Sequence, residues 1–489
     1  MTTVLSFDLG ASNGRLLSQS FDGSKLRLEE IHRFINRPLQ ENGHYYWDFE
    51  YLMKEITNGI RFARNQITGS IDGIGVDTWG VDFGIVDEQG QLVSKPFSYR
   101  DAHTIPYKEE ALRKLDAFDL FKMTGNEVSS INTLFQLMAI EDQYPSYLEK
   151  AKHILMTPNL IQFALTGVAQ NEFTIASTSQ LIEKNQMDWH KEILQTFFHK
   201  PLPLADIHMP HNVMGKISKS VQQREGLSEI PVILTPGHDT ACALSALPIR
   251  NLNACFISIG TWTLVGKEVE KAIITEEAFK EGFTNEGTSE GQYRFQKNGM
   301  GFWILQNLRN EWKQNGYEIS YEEENELLKN AAPNEIFIDP DDSLFFNPAS
   351  MEEAIRQYCQ KTGQAAPSAI QETLQCVLES MALKYAYTID RLEEISGAQS
   401  DVVYIGGGGI QNKFMCQFIA DATNKQVMAG PVEASAIGNG LSQLRALGEI
   451  QSIQEGREVV ASSFEMIEYN PKNEVKWKNS KDQLMAYIN

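Results

Sequence analysis

The stretch FDLGASNGRLL (7–17) decides the fold, because ISIGTWTLVG (257–266) repeats its design about 250 residues later. Each starts as a short apolar strand, passes a turn of small and hydroxyl residues around Gly10 or Gly260, and leaves as a second strand. The first exit strand runs to Asp22-Gly23, a tight-hairpin dipeptide, and returns as LRLEEIHRF (26–34). A glycine-rich turn between strands can aim backbone N–H groups at phosphate oxygens. Two such turns suggest two related halves gripping one polyphosphate, so the predicted class is α/β with duplicated domains.

Working outward, a chain of 489 residues exceeds what one core supports, and two domains are expected, 1–248 and 249–489. The seam falls near Pro248–Asn253, between the small-residue helix ACALSAL and the strand ACFISIG. The net charge of −21 argues against nucleic acid, and lysines and arginines form no basic patch. Five cysteines without metal-ligand spacing fit a reducing, cytoplasmic setting; Cys359 and Cys376 flank a turn, and their pairing stays open. The chain shows neither a signal-peptide pattern nor an uncharged apolar run of membrane-spanning length.

Apolar spacing predicts helices over 48–67, filling 104–166, and over 369–396, where Ile370, Leu374, Leu378, Met381, Tyr385 and Ile389 share a face. IGVDTWGVDFGIVDEQGQLV (ending at 93) reads as a second hairpin. GPVEASAIGNGLSQLRALG (430–448) reads as a loop feeding a closely packing small-residue helix.

Asp8, at a strand end before the first turn, suits a Mg²⁺ ligand or an ordinary turn residue. Gly237-His238-Asp239-Thr240 follows the buried strand PVILT and opens a helix. Asp239 there suits a general base or a plain helix cap. Gly406–Gly409 would let a nucleotide base and ribose lie against the backbone. Asp77, Trp79, Asp82, Arg100 and Asp101 form a set able to bind a polyol, while His32 and His153 read as structural. No G-x-x-x-x-G-K-[ST] motif or protein-kinase catalytic loop is present, and the first glycine turn enters a strand rather than the helix of a dinucleotide fold.

FDLGASNGR (7–15), DTWGVDF (77–83), YRD (99–101), GHDT (237–240), SIGTW (258–262) and GGGGIQN (406–412) together resemble the FGGY carbohydrate kinases. IHRF (31–34), NTLFQL (132–137), NEGTSEGQYRFQKN (285–298), GFWILQ (301–306) and GPVEAS (430–435) extend the likeness over nearly the whole chain. The resemblance implies two ribonuclease-H-like (actin-type ATPase) domains with the catalytic cleft between them. It implies transfer of the γ-phosphoryl of ATP, with Mg²⁺, to O1 of L-rhamnulose; L-fuculose and L-ribulose are the alternatives. By motif match Asp239 would be the base. Gly80, Asp82, His238, Thr240 and Asn298 would lie on the sugar side. Ala11, Ser12, Asn13, Gly14, Arg15, Thr261, Gln306 and Gly408 would lie on the nucleotide side, with Asp8 toward the metal. Asn13 and Gly237 stand where relatives often carry Ser. No nucleic-acid or membrane partner is expected, and the chain would act as a monomer or homodimer.

Overall fold

The computed structural model describes residues 1–184, 186–250, 253–329, 331 and 334–488. The chain forms two compact units. Unit 1 comprises Met1–Pro248, Val269–Phe295 and Ala434–Ser463; unit 2 comprises Ile249–Glu268, Gln296–Glu433 and Phe464–Asn489. The chain thus first changes unit at Pro248/Ile249, but two later segments cluster with unit 1. Of the expected seam, Asn251 and Leu252 lie outside the described residues.

Unit 1 is built on six strands, β1 Thr2–Leu9, β2 Asn13–Phe21, β3 Leu26–Ile35, β4 Gly73–Thr78, β5 Asn212–Lys216 and β6 Pro231–Leu234. Their order is β5-β6-β4-β1-β2-β3. β1 is antiparallel to β2 and parallel to β4, and β4 is parallel to β6. Val4, Leu5, Phe7, Ile74 and Val76 are all fully buried, as expected of central strands covered on both faces. The amphipathic helix Phe49–Gln66 covers one side with Leu52, Ile56 and Ile60, and the Asp48 carboxylate caps it by accepting from Tyr51 N–H.

The helix Ala434–Ala446 reaches this sheet from the far end of the sequence. Its Gln443 side chain donates to the carbonyl of Leu5 at 2.9 Å. Such contact needs small neighbours: a Cβ on Gly75 of β4 would lie 2.2 Å from Asn439 Oδ1. A Cβ on Gly438 would lie 1.8 Å from the carbonyl oxygen of Cys242, in the helix Asp239–Ala246. The close packing read from the small-residue run is therefore a backbone-to-backbone contact between two helices.

In unit 2, β7 Ala254–Ile259, β8 Trp262–Val269, β9 Val402–Gly406, β10 Gln426–Ala429 and β11 Ile467–Tyr469 repeat the pairing scheme. β7 is antiparallel to β8 and parallel to β9, β9 is parallel to β10, and β11 closes antiparallel to β10. This is the pattern of β1, β2, β4, β6 and β5, so the duplication read from the two glycine turns is a duplication of topology. The helix Ile370–Ser396 buries the predicted face from Leu374 to Ile389, leaving Ile370 half-buried, and ends at Gly397 in the left-handed conformation (φ 68°).

One expectation is narrowed and one changes. The hairpin read over 73–93 forms only in its second half, where Val86 bridges Leu92 antiparallel and Asp87 N–H and Val93 N–H donate to the carbonyls of Gln91 and Ile85, both at 2.9 Å. β4 enters the main sheet, and Phe83–Val86 also pairs antiparallel with His153–Met156. His153–Met156 itself is a strand inside a stretch read as helical. Its four residues HILM are too few for periodicity to separate the two states. All five cysteines are unbridged and buried. No helix among the described residues is long and apolar enough to cross a membrane.

Candidate active site

The parallel register of β1 and β4 sets Asp8 directly beside Asp77 at the carboxyl ends of both strands, the edge where open α/β sheets bind ligands. β6 leads into the same edge: Thr78 N–H donates to the carbonyl of Gly237 at 2.8 Å, and Thr78 bridges to His238. The next residue, Asp239, opens its helix. The turn is anchored from beneath by Glu172, fully buried, whose Oε2 accepts from the N–H groups of Gly237 (2.8 Å) and Ile175 (3.1 Å) and from the Thr174 hydroxyl (2.7 Å). Gly237 fits because a Cβ there would come within 2.9 Å of Ile175 and Pro158.

Three carboxylates so close together in a low-dielectric place oppose one another's ionisation. Burial, and then the charge of Asp8, hold the Asp77 carboxyl well above the usual carboxylate range, against a 2.7 Å hydrogen bond from Asn439 Nδ2 to its Oδ2. Its Oδ1 is buried with no partner among the described residues. Burial also raises Asp239, with the Asp8 charge adding to it and His238 and Thr240 opposing it. Asp8 is partly compensated by Arg15, 2.5 Å away. Hard oxygen donors with an orphaned carboxylate oxygen are the donor set Mg²⁺ prefers. Asp8 and Asp77 fit such an ion.

Asp239 is held on one side only. Its Oδ1 accepts from Thr240 N–H (2.6 Å) and the Thr240 hydroxyl (3.1 Å) and lies 3.3 Å from His238 Nε2. No described residue bonds Oδ2, and the side chain keeps 30% of its exposure. Behind it stands a group that sequence reading missed. The Nη2 of Arg294 lies 2.5 Å from Glu286 Oε2 and also contacts His238 Nδ1. Burial would raise Glu286, but the Arg294 guanidinium beside it prevails and the carboxyl is pulled down to about 2. The available signal was an arginine between the aromatic residues Tyr293 and Phe295, at the buried start of the strand Tyr293–Met300.

The sugar-side expectations fare unevenly. Gly80 lies in the turn after β4, with Thr178 3.3 Å from where its Cβ would be. Val81, next to it, has a φ of 66°, unfavourable for a β-branched residue. It is held there by the Thr178 hydroxyl, which accepts from its N–H, and by the Thr133 hydroxyl, which donates to its carbonyl. Asp82 is not available to a ligand: it is fully buried, and its oxygens already accept from Trp47 Nε1, Trp79 Nε1, Gln136 Nε2 and Tyr99 N–H. Burial raises it to about 6 against those four bonds. Asp82 therefore shapes the WGVDF turn from within. Asp101 is likewise taken up, receiving His44 and His103 Nδ1 at 3.1 and 2.6 Å and Tyr45 N–H at 2.6 Å. Asn298 is exposed and belongs to unit 2, so unit 1 does not gather it with Gly80, His238 and Thr240.

Each glycine turn is closed by its glycine N–H, the second one residue tighter than the first. Gly10 N–H donates to the carbonyl of Asn13, and Gly260 N–H to that of Trp262, both at 2.9 Å. Asn36 braces the first through its side chain to the Gly10 carbonyl (2.9 Å) and its N–H to that of Ser12 (3.1 Å). This leaves Ala11, Ser12 and Asn13 on the rim. Gly14 is needed because a Cβ would sit 2.3 Å from the ring of Phe34. Arg15 engages Asp8. In unit 2, Thr261 and Gln306 contact each other at 3.4 Å. Gly301 passes so near the second turn that a Cβ would be 2.6 Å from the Gly260 carbonyl, and one on Gly407 would be 2.7 Å from that of Ile259. Gly408 faces open space. Unit 2 thus assembles Thr261, Gln306 and Gly408 around the ends of β7 and β9.

The chain matches two models of the FGGY family of carbohydrate kinases, its N-terminal domain over residues 3–245 and its C-terminal domain over 255–447. The chain belongs to the FGGY family of carbohydrate kinases.

Within the family, it is 37% identical over 473 residues to a rhamnulokinase of Bacteroides thetaiotaomicron, covering 96% of each chain. It is also 37% identical to a rhamnulokinase of Halalkalibacterium halodurans, covering 96% of this chain and 99% of the relative. Solved folds agree over greater sequence distance. Glycerol kinase from Plasmodium falciparum superposes with a TM-score of 0.81 at 16% identity, over 100% of this chain and 98% of that one. Xylulose kinase from Rhodospirillum rubrum gives 0.80 at 15%, over 99% and 98%.

Proposed function

We propose that this kinase transfers the γ-phosphoryl of Mg·ATP to O1 of L-rhamnulose, yielding L-rhamnulose 1-phosphate and ADP. The observation that carries the chemistry is the asymmetry of Asp239, with Oδ1 bound by Thr240 and near His238 while Oδ2 is open. A carboxylate pinned by one oxygen presents the other in a fixed direction, as a base receiving a hydroxyl proton must. In this scheme Oδ2 takes the O1 proton as O1 bonds to the γ-phosphorus and the bond to the β,γ-bridging oxygen breaks. His238, Thr240, Gly80 and Asn298 orient the ketose. The rim of the first turn (Ala11 to Arg15) and Thr261, Gln306 and Gly408 hold the nucleotide. Asp8 and Asp77 would hold Mg²⁺, which when bound neutralises phosphate charge. Five unbridged cysteines suit a cytoplasmic setting.

The choice of ketose rests on the rhamnulokinase relatives. Initial rates with L-rhamnulose, L-fuculose and L-ribulose, with the product assigned by ³¹P NMR, test it. L-Rhamnulose should give the highest kcat/KM and a 1-phosphate; preference for either other sugar overturns the substrate assignment.

A further inference from the structure

Outside the groups already given a role, one buried constellation stands unused: Arg294, Glu286 and the Nδ1 side of His238. The Arg294 side chain has no exposure and Glu286 only 9%. A guanidinium has donors and no acceptor. Nη2 carries two protons, and it meets two groups, Glu286 Oε2 at 2.5 Å and His238 Nδ1. Nδ1 also lies 3.3 Å from Glu286 Oε2. A proton on Nδ1 would point it at that oxygen but set N–H against N–H at the closer Arg294 contact. The shorter contact decides, and Nδ1 accepts. The ring proton then belongs on Nε2, the nitrogen that lies 3.3 Å from Asp239 Oδ1.

We infer that Arg294 is a positioning residue that fixes His238 in the Nε2–H tautomer, so that the imidazole donates to Asp239 Oδ1 and leaves Oδ2 to meet the sugar hydroxyl. The inference rests on Asp239 being the base. Glu286 holds Arg294 in place and compensates its charge, which a guanidinium without solvent requires. With the tautomer reversed, Nε2 would turn a lone pair toward Oδ1, and two acceptors would face each other at 3.3 Å. Oδ1 would keep only its two bonds from Thr240 and would meet a repelling lone pair on the His238 side.

The test is the imidazole ¹⁵N pattern of His238 in the full chain, assigned with a His238→Gln control. The wild type should show Nε2 protonated and Nδ1 bare at the assay pH. Arg294→Met should move the proton to Nδ1, toward Glu286, and lower kcat roughly 10–100-fold, with KM for ATP unchanged within about twofold. Glu286→Gln keeps an acceptor for Arg294 and should retain the Nε2–H tautomer, with a loss of stability from the uncompensated guanidinium. A wild-type ring protonated on Nδ1, or an Arg294→Met enzyme with unchanged tautomer and kcat, overturns the inference. If Arg294→Met does not fold, the wild-type spectrum and Glu286→Gln decide alone. Normal turnover by Asp239→Asn would instead remove the base assignment and leave the tautomer result standing.

Discussion

Replacing Gly438 by Ala adds one methyl group at the crossing of the helices Asp239–Ala246 and Ala434–Ala446. That carbon would stand 1.8 Å from the carbonyl oxygen of Cys242, 2.5 Å from its carbon and 3.0 Å from its Cα. An ordinary contact begins near 3.4 Å, so the helices must separate by about 1.6 Å. The obstacle is backbone, and no rotamer change relieves it. Neither helix can yield cheaply: Asn439 is bonded to Asp77, Gln443 to the Leu5 carbonyl, and Arg457 to the Leu244 carbonyl. Overpacking of this kind costs about 1–3 kcal/mol. The larger effect falls on function, because Asp239 opens the displaced helix and a misplacement of about 1 Å can cost about 10²-fold in rate. Steady-state kinetics, thermal unfolding and ATP titration of Gly438→Ala should show kcat down about 10²-fold, a lowered Tm and ATP affinity nearly retained. Wild-type kcat and Tm would refute the argument that this backbone contact positions the base.

Asp77→Asn should raise stability while reducing Mg²⁺-dependent turnover. The folded carboxyl is raised, so the folded state binds the extra proton, and the cost of ionising it grows as pH rises from about 4. The gain, on the order of 1–3 kcal/mol, should therefore be present at neutral pH and vanish toward pH 4; unfolding melts at both pH values check it. Glu286→Ala leaves the Arg294 charge buried without its partner and should cost roughly 3–5 kcal/mol in urea unfolding, and a loss under 1 kcal/mol would show that the pair carries little. Since Asp77 and Asp239 are both raised, Mg·ATP binding in weakly acid buffer should release protons. Titration calorimetry in buffers of different ionisation enthalpy reads this directly, and heats independent of buffer would mean the carboxylates do not gather around the cation.

What was legible in the sequence was local. The glycine turns at Gly10 and Gly260 announce themselves because a strand–turn–strand reversal needs small residues at fixed places, and the repeated pairing scheme follows from them. Asp239 was legible as the first residue of a helix after a buried strand. What failed depends on partners far away in sequence. Asp82 reads as a free carboxylate until Trp47, Trp79, Gln136 and Tyr99 converge on it. Asn439 contacts Asp77 across 362 positions. Glu286 and Arg294 lie in a stretch recognised only as family motif, and their charges make sense only beside His238. The hairpin read over 73–93 closes only from Ile85 to Val93, because β4 goes to the main sheet instead; pairing is set by the sheet and alternation only by exposure.

The central claim is that the open oxygen of Asp239 takes the sugar's proton. Its most direct test is single-turnover phosphorylation of L-rhamnulose by Asp239→Asn, followed by rapid quench at saturating Mg·ATP, with nucleotide affinity measured in parallel. The amide keeps an oxygen for Thr240 but cannot accept the proton as a carboxylate does. The account predicts ATP affinity within about threefold of wild type and a transfer rate lower by about 10²–10⁴-fold. A transfer rate near that of the wild type would contradict it.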